Sequence, residues 1–134
     1  MEIFMADIFL RTERLIGEEA LLKLKNKHVA VFGVGGVGSY VVEALARCGI
    51  GRLTIIDKDV VDVTNINRQL IALHSTIGKV KVDIAKNRIL DINPDAKVNA
   101  LPILFNAETK EQINFEDFDY VVDAIDMVTA KLLI

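Results

Sequence analysis

The chain has 134 residues, 51% of them hydrophobic and 26% charged, with a formal net charge of −3. That composition excludes a disordered tail or a collagen-like polymer, and the length suits one compact domain with its own core. The acidic balance offers no global attraction to nucleic acid, and the single cysteine, Cys48, excludes a disulfide scaffold or a cysteine-rich zinc site within these residues.

The first residues, Met1-Glu2-Ile3-Phe4-Met5-Ala6-Asp7, are acidic where a secretory signal needs positive charge. A lead follows from Thr12 to Lys25, with Leu15, Ile16, Ala20, Leu21 and Leu24 apolar at helical spacing. His28-Val29-Ala30-Val31-Phe32 reads as a buried strand that runs into glycines. From Val37 to Cys48 a helix is expected, with Val37, Val41, Ala44, Leu45 and Cys48 on its inner face. Gly49-Ile50-Gly51 stops it, and Arg52 to Asp57 is a second strand. After a polar loop, a helix spans Val80 to Asp91, with Val82, Ala85, Ile89 and Ile92 on one face, and Asn93-Pro94 ends it. Lys97 to Leu104 reads as a third strand, Ala107 to Ile113 as a short helix, and Tyr120 to Ile125 as a fourth strand.

The longest stretch without a formal charge is 15 residues between Lys27 and Glu43, too short and too glycine-broken to span a membrane. With a lone cysteine that suits a reducing compartment, a cytoplasmic protein without membrane attachment is expected. Strand–helix alternation requires crossovers, so the fold class is α/β: a Rossmann-like, doubly wound, mainly parallel sheet with helices on both faces. Val121, Val122, Ala124 and Ile125 make the fourth strand apolar on both faces, which belongs inside a sheet. Ala130-Lys131-Leu132-Leu133-Ile134 reads as a helix begun without a cap. The expectation is therefore the first part of a longer fold, truncated after the fourth strand, that is not catalytically self-sufficient. An apolar tail docking on the domain is the alternative.

Gly33-Val34-Gly35-Gly36-Val37-Gly38, after a strand and at the head of a helix, has the spacing of a dinucleotide-type phosphate loop. Gly33 allows the turn, Gly35 lets backbone approach a phosphate, and Gly38 lets the helix pack close to the strand. Asp57, at the end of the second strand, is where an acid that binds ribose is wanted. To this point a nicotinamide-dependent oxidoreductase and an ATP user are indistinguishable. An acidic loop then runs from Asp57 into the amide-rich Thr64-Asn65-Ile66-Asn67-Arg68-Gln69. Arg68 and Lys81 are the candidate cations for a nucleoside triphosphate, Lys81 at a helix head. Asp126, past the fourth strand, is the candidate magnesium ligand.

These segments, with Gly78-Lys79-Val80-Lys81 and Asp123-Ala124-Ile125-Asp126, resemble the ThiF/MoeB/HesA superfamily, the ubiquitin-activating-type adenylating enzymes. The resemblance covers nearly the whole chain from Arg11 onward. Arg11-Thr12-Glu13-Arg14-Leu15-Ile16-Gly17 and Gly38-Ser39-Tyr40-Val41-Val42-Glu43-Ala44-Leu45-Ala46-Arg47 are most similar to the tRNA threonylcarbamoyladenosine dehydratases. It implies ATP-dependent adenylation of a carboxylate: that of threonylcarbamoyladenosine in tRNA, which then cyclises with release of AMP. The alternative implied is activation of the carboxyl-terminal glycine of a ubiquitin-like sulfur-carrier protein. Met127 stands where sulfur-carrier-activating relatives usually have asparagine, which favours the dehydratase branch.

By the same resemblance the glycine loop (Gly33, Gly35, Gly36, Gly38) cradles phosphates and Asp57 holds the ribose. Asp59, Asn67, Arg68 and Gln69 line the phosphate region, Lys81 stabilises the pentavalent phosphorus, and Asp126 binds Mg2+. Arg14 resembles an arginine that reaches a partner subunit's ATP site, so a homodimer is implied, with residues 1–27 as helical lead and dimer arm and residues 28–134 as the ATP-binding domain. A sulfur-carrier or sulfur-relay protein is a further possible partner.

Other residues have plainer readings beside their functional ones. Cys48 beside Arg47 could serve redox or thioester chemistry, but burial as a small apolar residue is the better reading. His74 is read as a loop histidine and His28 as structural. Lys79, Lys81, Lys86 and Arg88 could form a tRNA-facing stripe or an ordinary solvated face. Phe4, Phe9 and Leu10 could dock on a partner or pack on the core.

Overall fold

The computed structural model describes residues 8–134, so the acidic start and Phe4 lie outside the described residues. The elements are α1 (Leu10–Ile16), α2 (Glu18–Lys25), β1 (His28–Phe32), α3 (Gly38–Cys48), β2 (Arg52–Ile56), α4 (Lys81–Ile92), β3 (Lys97–Leu101), β4 (Tyr120–Asp123) and α5 (Val128–Lys131). Single 3-10 turns lie at Val63–Asn65, Lys110–Gln112 and Phe115–Asp117. The strands form one four-stranded, wholly parallel Rossmann-like sheet in the order β3-β2-β1-β4. The chain therefore winds outward from β1 to β3, then crosses back to place β4 on the other side of β1. Such a reversal opens a crevice at the carboxyl ends of β1 and β4. No helix among the described residues is long and apolar enough to cross a membrane.

Every residue of β1 is buried, and its side chains alternate between two cores. Val29 and Val31, with Leu53 and Ile55 of β2, face α3 and α4 through Val42, Ala46, Val82, Ala85 and Ile89. Ala30, Phe32 and Ile56 face the opposite side, with Phe105, Ile113 and Ala130. Helices were expected on both faces, but this second face is covered mostly by irregular chain. Phe115 stacks on Phe32 at 5.6 Å and Phe105 meets its edge at 4.8 Å, so aromatic area replaces a long helix.

Several expected elements change. The single lead helix from Thr12 breaks at Gly17 (φ +87°), and neither α1 nor α2 buries a residue; Leu15 is 87% exposed. The inner face of α3 is Gly38, Ser39, Val42 and Ala46; Val37, Ala44 and Cys48, expected inside, are exposed. A Cβ on Gly38 would overlap the Gly33 carbonyl, so this contact sets the phase of the helix and turns every fourth residue after it inward. β3 stops at Leu101 because Pro102 cannot donate to the ladder. The helix expected from Ala107 to Ile113 is a turn with one 3-10 segment. The Asn106 side chain accepts from the N–H groups of Glu108 (2.9 Å) and Thr109 (3.0 Å), competing with helix formation. β4 ends at Asp123, short of the expected Ile125; it lies at an edge of the described sheet, as expected of a fold cut off after its fourth strand, with Tyr120 67% exposed.

His28 is structural. Its Nδ1 lies 2.9 Å from the Asp117 carbonyl oxygen, which can only accept, so Nδ1 carries the proton. Nε2 then accepts from the Thr54 hydroxyl at 2.7 Å, and the ring packs edge-on to Phe118. Burial first, then the nearby Arg52, pushes the imidazole below the ordinary histidine pKa. The neutral ring is thus favoured by folding, and its contribution is complete above the unfolded-state value and lost as pH falls through the folded one. Urea unfolding between pH 7 and pH 5 is expected to show falling stability, and His28→Gln should flatten that slope. A slope unchanged in the variant would contradict this account.

Candidate functional site

The crevice holds a cavity of about 300 Å³, within the range of small-ligand sites. The turn after β1 forms one side. Gly33 has φ +93°, and a Cβ there would come within 2.5 Å of the Ala124 carbonyl oxygen. This turn therefore lies against the end of β4 as only glycine can. Gly33 and Gly35 line the cavity; of the other two, Gly36 packs against the aliphatic part of Arg68, itself a lining residue, and Gly38 against Gly33.

Asp57 lines the cavity with both carboxylate oxygens already engaged. One accepts from the Val34 N–H at 2.8 Å and the other from the Asp59 N–H at 2.8 Å. It thereby ties the glycine loop to the chain leaving β2. Each oxygen keeps a lone pair for a further donor such as a hydroxyl.

Beyond it, the chain from Asp59 to Val61 runs against the segment entering α4. The Val61 N–H donates to the Lys79 carbonyl (2.8 Å), the Gly78 N–H to the Val61 carbonyl (2.8 Å) and the Lys81 N–H to the Asp59 carbonyl (3.0 Å). This clamp places Lys81, only 5% exposed, in the cavity wall, its Nζ 3.9 Å from Asp59 Oδ2. No side chain caps the first turn of α4, so the helix end adds partial positive charge at the same place.

A reciprocal cap builds the next segment. The Asp62 N–H donates to Asn65 Oδ1 at 2.8 Å, while Asp62 Oδ1 accepts from the Thr64 N–H at 2.8 Å and its hydroxyl at 2.6 Å. These bonds from Thr64 hold the Asp62 carboxyl below the usual carboxylate range. Arg68 follows, its Nη1 donating to the Thr64 carbonyl (3.1 Å) and Asn67 Oδ1 (2.9 Å). It forms no ion pair among the described residues. The Gln69 side chain is buried with Oε1 unpartnered.

The structure thus brings together Gly33, Gly35, Asp57, Asp59, Arg68, Gln69, Lys81 and Asp126 around one cavity. Asn67 does not line it, its side chain being turned to Arg68; Asn65, named in the motif but not as a site residue, does. Arg14 does not reach it. Its helix α1 lies at the amino-terminal ends of the strands, where the neighbouring Glu13 shares a groove with His28, Arg52 and Lys97. Phe9 packs there beside Gly49, whereas Leu10 is exposed. His74 and Cys48 lie outside the cavity, and Cys48 is exposed rather than buried. The basic residues of α4 do not form one stripe: Lys81 is buried in the site, and Arg88 is bound at 2.5 Å to Glu43 of α3, which Arg47 also holds. Ser39 was missed. Buried at the head of α3, it donates from Oγ to the Gly35 carbonyl at 2.5 Å and accepts from the Leu70 N–H at 3.2 Å. The apolar periodicity put Ser39 on the outer face, so no signal in the sequence marked it; the Gly38 contact turns it inward.

The ThiF family profile matches residues 10–134. The tRNA threonylcarbamoyladenosine dehydratase of Bacillus subtilis (strain 168) is 55% identical over 124 residues, 92% of this chain and 49% of that protein. The adenylyltransferase and sulfurtransferase UBA4 of Vanderwaltozyma polyspora is 38% identical over 122 residues, 91% of this chain and 28% of that protein. Among solved structures, E. coli tRNA N6-threonylcarbamoyladenosine dehydratase, TcdA, in complex with ATP is similar with TM-score 0.90 and 43% identity, over 93% of this chain and 51% of that one. The chain spans about half the length of these two dehydratases.

Asp57→Ala would leave the N–H of Val34, a residue with no exposed surface, without an acceptor. A loss of about 1–3 kcal/mol of unfolding free energy is expected even without any ligand. Asp57→Asn, which keeps one oxygen, should lose less. Denaturant unfolding of both variants checks the order.

Proposed function

The chain belongs to the ThiF family, and on that premise we propose that it forms the nucleotide site of an ATP-dependent adenylating enzyme that cyclises threonylcarbamoyladenosine in tRNA. The observation that carries the reading is that the buried Lys81 and Arg68 line one cavity bounded by a glycine turn. A nicotinamide site has no need of two such cations, whereas phosphoryl chemistry does. The resemblance in sequence to the Bacillus subtilis dehydratase supports the choice of substrate.

In this reading the N–H groups of the glycine turn and the head of α3 receive phosphate oxygens, and the spare lone pairs of Asp57 accept from ribose hydroxyls. The substrate carboxylate attacks the α-phosphorus, and pyrophosphate leaves. Lys81 and Arg68 stabilise the charge that gathers on the equatorial oxygens. The adjacent ureido nitrogen then closes on the activated carbonyl, the bond to AMP breaks, and the net change is loss of water.

Among the described residues no group of three His, Cys, Asp or Glu side chains could hold a metal by itself. Asp126, exposed on the cavity wall, is instead a single hard-oxygen ligand. That donor set suits Mg2+ arriving with the nucleotide, since the ion usually takes one or two carboxylates and completes its shell with phosphate oxygens and water. Held there, it would supply neutralisation of phosphate charge.

Arg14 lies at the opposite end of the sheet from its own cavity, so its role at phosphate requires a second copy: a homodimer in which each α1 serves the other site. Residues 1–27 are then the dimer arm and residues 28–134 the nucleotide domain, acting in the cytoplasm. The second reading, adenylation of a sulfur-carrier protein, is favoured only by the similarity to UBA4.

Pyrophosphate exchange discriminates the substrates: threonylcarbamoylated tRNA should support it and a sulfur-carrier protein should not. In competition calorimetry Mg-ATP should displace NAD; tighter binding of NAD would end the adenylation reading. In the full-length enzyme Lys81→Ala should lower AMP formation roughly a hundredfold with a smaller effect on ATP binding, as expected of a charge used mainly in the transition state. Unchanged turnover would remove Lys81 from the mechanism.

A further inference from the structure

Two stretches of chain that are far apart in sequence supply the phosphate donors: the turn at Gly33–Gly36 and the segment of Arg68 and Gln69. No backbone hydrogen bond among the described residues joins them directly. Gln69 reaches toward Gly35, its Nε2 3.5 Å from where a Cβ on that glycine would stand, but Oε1 is buried without a partner. The Gln69 amide therefore does not fasten the segment through its oxygen. The one side-chain hydrogen-bond link among the described residues is Ser39, 2% exposed, which donates to the Gly35 carbonyl and accepts from the Leu70 N–H.

We infer that Ser39 is a positioning residue: its hydroxyl holds the glycine turn and the Arg68 segment in one register, so that both meet the same phosphates. The inference rests on the nucleotide reading above. Its geometry has a direct consequence. The Gly35 carbonyl is drawn toward α3 by the Ser39 hydroxyl and by the Ser39 N–H at 3.1 Å. Peptide planarity then turns the Gly36 N–H the opposite way, away from the helix. Gly36 is also the residue against which Arg68 lies, the guanidinium Nε being 3.8 Å from a Cβ built there. A single buried hydroxyl, used as both donor and acceptor, thereby places a backbone N–H and a guanidinium side by side. Two donors so paired match two oxygens of one phosphate group. Removing the hydroxyl leaves the Leu70 N–H without its partner and lets the two stretches move independently, while the groups that meet the nucleoside are untouched.

The test uses calorimetric Kd values for ATP and adenosine on the wild type, Ser39→Ala, Arg68→Ala and the double variant. Unfolding midpoints confirm that each variant folds, and Ser39→Cys keeps the volume without a strong acceptor in case alanine does not. The wild type should bind ATP far more tightly than adenosine. Ser39→Ala should weaken ATP about tenfold, leave adenosine unchanged, and have a much smaller effect once Arg68 is alanine, because it acts largely through that side chain. Ser39→Cys should behave as the alanine variant does. Equal weakening of ATP and adenosine, or the same tenfold loss in the Arg68→Ala background, would reduce Ser39 to a structural residue while leaving the nucleotide reading intact. A wild type that binds ATP no better than adenosine would overturn both together.

Discussion

The meeting of Gly33, Gly38 and Ala124 is the contact on which the rest of the molecule depends. A side chain on either glycine would strike backbone, in one case the carbonyl of Gly33 itself and in the other that of Ala124. Because neither has one, α3 begins directly over the end of β1, and the chain leaving β4 passes directly beside it. The crevice at the strand reversal thus becomes a cavity with backbone along one side, where N–H groups and a helix end can approach an anion. The same contact fixes which face of α3 is buried, and with it the placement of Ser39.

Around that fixed turn the site is built from short-range clamps rather than from one scaffold. Val60 and Val80 form an isolated antiparallel bridge, and the bonds on either side of it bring Asp59 and Lys81 together. The Lys81–Asp59 separation of 3.9 Å is long for an ion pair, and Asp59 is 54% exposed while Lys81 is 6% exposed at the side chain. A cation buried this far is poorly compensated by one half-solvated carboxylate. In the proposed nucleotide reading, an arriving phosphate completes what Asp59 begins.

Most of the sheet was legible from sequence because buried parallel strands are continuous apolar runs, as in Val29 to Phe32 and Leu53 to Ile56. The glycine spacing and Asp57 were legible because each answers a local steric or hydrogen-bonding need. Legibility fell where a tertiary contact or a side-chain cap overrode periodicity. The apolar count of α3 pointed at Val37 and Cys48, but the Gly38 contact rotated the helix away from both. Asn106 turned an expected helix into a turn. Along Thr64 to Gln69, both asparagines were available to the cavity by spacing. Only the reciprocal bond between Asp62 and Asn65 decides that Asn65 faces inward while Asn67 serves Arg68. Such a choice depends on hydrogen-bond partners that residue spacing does not encode.

The acidic stretch from Asp57 to Asp62 looks unsuited to the border of an anion site. Its carboxylates are nonetheless largely occupied by the chain itself. Asp57 accepts two backbone N–H groups, and Asp62 accepts the Thr64 N–H and hydroxyl, which lower its pKa and keep it ionised as a cap. Negative charge spent on backbone donors orders the loop and is locally offset by those dipoles. Lys81 and Arg68 stand on the cavity side of the same segment, the first tied to Asp59 and the second bonded to uncharged oxygens. Net charge along the sequence is therefore a poor guide to the field in the cavity. What governs that field is which charges the backbone has already engaged and which it leaves facing the ligand.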